Sequence, residues 1–557
     1  MTALVARLRP FTLLTLLCAA LIAVLLFYPL GRMVHSLAFG GTGGGFSDAL
    51  GVLTQPWLAP VLFNTFVIVG SSTVLALAIG AVMAWGNVRT NASIGMLGTL
   101  LPIIPLLIPN VALAIGWVFL GAPRVGFLNG LLALLPFGLE LNIYSWGGLI
   151  FVYTINAVPY VYLIVSAALR NLDPALEEAA RINGAAPLRI LRTVSLPAIR
   201  PALISAALLV TITSLGVYSI PSVIATTAKI DVLTTRIVFL LNRDFPPKLA
   251  EAQALGIIML LAVLALWWIE VRMTRSGKAA TVGGRATSTG VIDLGGWKWP
   301  FRLGSLAYLA MTSIVPIGAL LIVSLQPFWT PKINWLALNF GNYHQALFVN
   351  RLVSGSLGNS LFLSGTGAVI AMVIAIVVAI FSINRFGLLS SLVDGAIKSS
   401  AAIPNMILAV AFLSAFAGAP FFLSGTTTIL LMAFVVMYLP PGAIAASATV
   451  NQIGRDLREA SSIAGAGEGR TVRKVIVPLA IPGFLSGMAI VFVHMMGDLS
   501  AAALLSGPNN PVVGFAILSV WEAGTFGVLA ALSVMLCIIN IGVIGLIFGV
   551  GRLFGRR

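Results

Sequence analysis

Apolar residues run along this chain in long blocks, separated by shorter polar stretches. A helix needs about 20 apolar residues to cross a bilayer, so each block predicts a membrane span. In the first half the blocks fall near 11–30, 61–85, 97–120, 147–169, 201–221 and 251–270. In the second they fall near 303–325, 357–381, 395–417, 424–447, 479–505 and 525–549. The expected fold is all-α and polytopic, with about twelve transmembrane helices. The stretch Phe127–Leu139 is too short to span and is broken by Gly and Pro, which predicts a re-entrant or interfacial segment.

Two of the polar interruptions are alike. "EEAARINGAAPLRILRTVSLP" runs from Glu177 to Pro197, and "REASSIAGAGEGRTVRKVIVPLAIPGF" from Arg458 to Phe484. Glu178, Ala179, Gly184 and Pro197 have counterparts at Glu459, Ala460, Gly465 and Pro478, each 281 residues on. Upstream, Pro159 falls on Pro440 at the same shift. Asn64 falls on Asn359, and Pro109-Asn110 on Pro404-Asn405, at a shift of 295 because the first half has a longer third loop. The chain therefore reads as a tandem duplication with six spans per half. An even number of spans keeps the copies parallel, related by an axis along the membrane normal. Leading into the stretch, apolar residues such as Leu172, Leu176 and Ala180 follow helical spacing. The glycine permits a sharp turn or a close approach by another chain. The proline marks the return toward the membrane. An amphipathic loop lying on headgroups would explain one copy, but two copies in one register point to protein docking.

Composition fits this pattern. The 557 residues are 59% hydrophobic and 9% charged, against about 25% charged in soluble proteins. The net charge of +16 would suit nucleic acid in a soluble chain. Here it follows the positive-inside rule, and no nucleic-acid partner is expected. With the N-terminus inside, inner loops and tails hold roughly 24 of the 32 basic residues. Both termini are therefore expected in the cytoplasm, as are both charged stretches. The apolar block after Arg7 and Arg9 is longer than a signal-peptide core and reads as a retained first span. Val271–Gly290, basic and rich in Gly, Ser and Thr, begins a linker. The expected division is 1–275, a cytoplasmic linker 276–302, and 303–557. Cys18 and Cys537 lie far apart in apolar runs, and His35, His344 and His494 form no local cluster, so no metal site is expected.

The spacing Glu-Ala-Ala, three residues, Gly, nine residues, an aliphatic, one residue, Leu-Pro resembles the signature loop of binding-protein-dependent (type I) ABC importer permeases. Glu178 through Pro197, including Ala180, fits it throughout. The second copy has Ser461 for the last Ala and Val477 before Pro478. The resemblance covers nearly the whole chain. Two loops on about twelve spans look like the fused permeases of the ferric-iron group, with thiamine and aminoethylphosphonate relatives. "DVLTTRIVFLL" (Asp231–Leu241) and the stretch Gly497–Gly527 resemble its outer loops, though Asp498 stands where relatives usually carry Glu. The resemblance implies that coupling loops at about 170–200 and 451–482 dock two copies of an ABC ATPase. It also implies a periplasmic or surface solute-binding protein as partner, and a bacterial inner-membrane location.

No GxxxxGK[ST] occurs, and "AGAGEGRT" (Ala464–Thr471) lacks the lysine and the preceding strand of a phosphate loop. The chain is thus expected not to be an enzyme and to hold no cofactor, with ATP and magnesium on the partner ATPase. Ionisable groups at membrane depth are functional candidates. Asp498 and His494, four apart on the eleventh span, are expected on one helical face lining the translocation path. Glu522 and Arg236 are outer-loop candidates for gating or docking. Pro105, Pro109 and Pro404 are expected to kink spans beside the path. The rival class is a secondary transporter of two six-span repeats, which would carry more membrane-embedded charges than are found here. The solute is expected to be ferric iron, with aminoethylphosphonate, thiamine or polyamine as alternatives. Lys229, Arg236, Arg243 and Lys248 favour an anion, Asp498 and Glu522 a cation.

Overall fold

The computed structural model describes residues 10–39, 46–95, 98, 101–136, 138–275, 291–384, 395, 400–453, 457, 460–461 and 463–554. The first half contains α1 (Pro10–Phe39), α2 (Leu58–Arg89), α3 (Asn110–Gly121), α4 (Trp146–Asn171), α5 (Pro174–Ile182), α6 (Arg200–Gly216) and α7 (Leu249–Arg275). The second contains α8 (Lys298–Leu309), α9 (Val315–Leu325), α10 (Arg351–Asn384), α11 (Asn405–Phe416), α12 (Thr427–Gln452), α13 (Val477–Met496), α14 (Ser500–Leu505) and α15 (Phe526–Phe554). Among the described residues nine helices are long and apolar enough to span a bilayer, and a bent pair makes a tenth. The third helix of each half, α3 or α11, has only 12 residues. The segments before both include undescribed residues, so twelve spans remain an expectation.

Local chemistry repeats with the sequence. Ser145 accepts the Gly148 N–H at the start of α4, and Thr426 accepts that of Ile429 at the start of α12. Such hydroxyl caps satisfy amides that a helix start leaves without partners. Asn64 donates to the Asp231 carbonyl at 2.9 Å, and Asn359 to that of Pro511 at 3.0 Å. Thr65 accepts from Leu233 N–H, and Ser360 from Val513 N–H. In both halves the second span is thereby pinned to the connection that follows the fifth.

The halves embrace by exchanging first spans. Tyr28 of α1 packs on Phe416 and Phe421 at the end of α11, with ring centroids 5.7 and 6.0 Å apart. Reciprocally, α9 crosses α3, where a Cβ on Gly116 would lie 2.6 Å from Pro316. Trp117 donates to the Met311 carbonyl beside it. Each half covers apolar surface that the other would leave exposed, which makes one continuous core.

Phe127–Leu139 holds the short helix Phe127–Leu132 and then turns. Asn129 anchors it, bonding the carbonyls of Ala122 and Leu141 and the Leu141 amide. Leu131 and Leu134 are exposed, and the segment does not span. The prolines expected to kink spans lie elsewhere. Pro109 and Pro404 immediately precede α3 and α11, and Pro105 sits in the 3-10 turn Ile104–Leu107. A residue without an N–H fits a helix start, where that donor has no partner.

Candidate coupling loops and translocation path

The first charged stretch folds as α5, a tight turn and a return helix. Asp173 caps α5 by accepting the Ala175 N–H at 2.9 Å, and Pro174 opens it with φ already set. Gly184 ends the helix at φ +78°, and Gly465 adopts the same φ in the second half. L-residues pay strain there, which explains glycine at both positions. Each return helix then opens into a five-residue π-helical turn, Leu191–Ser195 or Val472–Ile476. Pro197 and Pro478 follow two residues after these turns. Each proline lacks an N–H and its ring crowds the carbonyl four residues back, which favours the wider turn.

The matched positions also share exposure. Leu176 and Ile182 are exposed, and so are Leu457 and Ile463 in the same register. Ala179, Ala460, Pro197 and Pro478 are exposed, whereas Glu178 and Ala180 are half-buried. Glu459 lies outside the described residues. Bare aliphatic side chains on a charged loop, repeated in one register, form a pair of like exposed apolar faces.

Sequence reading singled out Glu178 and passed over its neighbour. Glu177 is buried, 3.4 Å from the guanidinium of Arg89 at the end of α2, and accepts the Ser195 hydroxyl at 2.6 Å. Arg89 is also buried and donates to the carbonyls of Leu169 and Leu172. The one sequence signal was an arginine closing an otherwise apolar 32-residue helix. Close by, Ile292 bridges Thr90, Asn91 bonds Asp293, and Arg302 donates to the carbonyls of Asn91 and Ala92. The start of the second half is thereby fastened to the end of α2.

At the interface between halves, Asp498 is buried, and Tyr438 donates to its Oδ1 at 2.7 Å. Its Oδ2 accepts the Ala501 N–H at 2.7 Å, so it caps α14. Asn405 reaches the Tyr438 hydroxyl at 3.3 Å. The expected shared helical face of His494 and Asp498 is not what brings them together. Helix α13 ends at Met496, because Gly497 leaves helical geometry, and Asp498 lies beyond it. Tyr438 makes the link instead, its ring stacked with that of half-buried His494 at 6.0 Å. Around this cluster the halves interlock. A Cβ on Gly497 would meet Pro109 at 2.9 Å, and one on Gly216 would meet Pro404 at 2.9 Å. Ser500 donates to the Gly216 carbonyl across the same interface, and within the first half Asn156 donates to Asn110.

Arg236 is held within its own half. Its guanidinium lies 4.3 Å from the Trp57 ring centre and 3.7 Å from Asp231. Glu522 instead bridges the halves, 2.6 Å from Arg243, with both side chains exposed. No group of three or more His, Cys, Asp or Glu suited to a metal occurs among the described residues.

Two interlocked copies of one helical bundle, each with an exposed charged loop and together enclosing a buried polar cluster, make a multi-pass membrane protein of duplicated design. The chain belongs to the family described as binding-protein-dependent transport system inner membrane component, matched over residues 76–275 and 367–557. It is 26% identical over 505 residues to the putative ferric transport system permease protein FbpB 1 of Haemophilus influenzae, covering 89% of this chain and 78% of that one. It is 25% identical over 536 residues to the ferric transport system permease protein FbpB of Actinobacillus pleuropneumoniae, covering 94% and 76%. A putative 2-aminoethylphosphonate transport system permease protein, PhnU of Salmonella typhi, is 33% identical over 220 residues, covering 38% and 75%.

Proposed function

We propose that this chain is the two-half permease of an ATP-driven importer that carries ferric iron inward from a solute-binding protein. The observation that carries the reading is the repeated docking face. Leu176 and Ile182, and again Leu457 and Ile463, stand exposed on loops with the same glycine turn and π-helical return. Two like faces suit two copies of one ATPase, whose closure on ATP would draw the loops together. The halves would rock about the interface at Gly216 and Gly497, switching access to the path between them. The chain's own part is to bind, guide and couple, while ATP and magnesium belong to the ATPase. Loops and termini would face the cytoplasm, and the Arg243–Glu522 end the binding protein. The two ferric relatives, alike over most of the chain, support iron as solute, as does the Asp498 carboxylate at the interface.

Coexpression with the ATPase and binding protein, followed by purification and reconstitution, tests this reading. The expected result is a complex with two ATPase copies and ATP-dependent uptake of radiolabelled ferric iron. Uptake of aminoethylphosphonate with no iron uptake would replace the solute. Solute uptake driven by an ion gradient without ATP would replace the class.

A further inference from the structure

The two coupling loops are alike in sequence but differ at the positions that hold the first one in place. In the first half Glu177 is pinned between Arg89 on α2 and Ser195 in the π-helical turn, with Arg89 and Glu177 both buried. By the 281- and 295-residue shifts, the corresponding second-half residues are Arg458, Asn384 and Ile476, a set without the carboxylate and the hydroxyl of the first, and Arg458 lies outside the described residues. The segments that follow also differ. Pro187–Ala198 and Arg200–Gly216 meet at a 74° bend, whereas α13 runs unbroken through its matching Pro482. The matched proline thus sits at a sharp joint in the first half, as Pro201, and inside a continuous helix in the second, as Pro482.

We propose that the Arg89–Glu177–Ser195 triad is a latch that makes the first coupling loop move as one body with α2, while the second loop moves free of α10. The inference rests on the docking reading above. A buried ion pair adds little net stability over apolar packing, but it selects one arrangement of the parts it joins. The latch crosses from the loop to the second span, and Arg89 also holds the end of α4 through Leu169 and Leu172. Force on the first loop would therefore reach α2 and α4 directly as well as α6. Force on the second would pass along α13 alone. Arg89 and Glu177 are positioning residues, since neither is open to solute.

Paired spin labels test this in the full complex with its ATPase, after Cys18 and Cys537 are changed to Ala. One pair sits at Arg192→Cys and Val82→Cys, the other at Arg473→Cys and Val373→Cys, all four exposed positions. Distances are read without nucleotide and with ATP plus vanadate. The expected result is a fixed distance in the first pair and a changed one in the second. Glu177→Gln, which keeps size and hydrogen bonding, should let the first distance change too. It should also lower binding-protein stimulation of ATP hydrolysis about tenfold, within the usual range of coupling between sites, while ATPase copurification persists. Equal movement in both unmutated pairs, or a fixed first distance in Glu177→Gln, would overturn the latch. Failure of the unmutated chain to bring down ATPase would instead overturn the docking reading, and this inference with it.

Discussion

Tyr438 donates its hydroxyl to Asp498 at 2.7 Å while its ring stacks with His494. One side chain on α12 thus joins the end of α13 to the cap of α14, and Asn405 adds α11 to the same knot. Among the described residues the knot occurs in the second half alone, because Val217 occupies the place that matches Asp498. The permease is therefore symmetric in its frame and asymmetric in the polarity of its interface.

Breaking that knot should separate stability from transport. Tyr438→Phe removes one hydrogen bond from a buried carboxylate and should cost about 1–3 kcal/mol, read by thermal unfolding in detergent. Asp498→Asn keeps the shape; its single oxygen can accept the Ala501 N–H while its NH2 donates to the Tyr438 oxygen, so it should unfold nearly as the unmutated chain does. If the carboxylate meets a cation in the open state, ferric-iron uptake by Asp498→Asn should fall about tenfold or more, since a lost charge interaction grows as water is excluded. Normal iron uptake would leave Asp498 as a helix cap alone.

What could be read from the sequence was local. Apolar blocks gave most spans, and the paired glycines and prolines gave both loops, because each depends on residues a few places apart. Pairings between distant segments were not legible. Glu177 looked like one more loop charge beside Glu178, and its partner Arg89 lies 88 residues earlier. Asp498 and His494 were read onto one helix, since nothing before Gly497 in the sequence marks that helix as ending. The exchange of first spans was invisible too, because α1 is apolar enough to face lipid or protein equally well.

The interlock of halves predicts a size limit at two glycines. In Gly216→Ala the new Cβ would press on Pro404, and in Gly497→Ala on Pro109, both at 2.9 Å against backbone-anchored rings. Each should cost about 1–3 kcal/mol through overpacking. Because the two contacts are related by the duplication, both variants should lower the unfolding temperature by similar amounts. Gly304→Ala, with open space around its Cβ, is the control and should leave unfolding unchanged.

The loop glycines predict a different signature. No atom lies within 4 Å of a Cβ built on Gly184 or Gly465, so only the φ of +78° resists substitution. Gly184→Ala and Gly465→Ala should each cost about 1 kcal/mol of local strain, with little change in global unfolding because the turns are exposed. Gly→Asn, which tolerates this conformation better, should fall between Gly and Ala. ATPase retention on affinity resin should follow the same order, Gly above Asn above Ala, in both loops. Equal retention of all three would mean that the turn geometry does not set docking.

The Arg243–Glu522 pair joins the halves at an exposed site, with side chains 61% and 60% accessible. Such pairs contribute about 0–1 kcal/mol and are screened by salt. Glu522→Lys should therefore barely change thermal unfolding. If this end receives the solute-binding protein, the same change should alter the association rate several-fold at low salt and much less at high salt, because rim charges act mainly on encounter. The double reversal, Arg243→Glu with Glu522→Arg, separates two roles. Recovery of normal association would mean that the pair acts by holding the halves together. A persistent defect would mean that each charge meets its own partner on the binding protein, and this second result is expected because so exposed a pair adds little to holding the halves together. Association rates measured at two ionic strengths on immobilised permease decide between them.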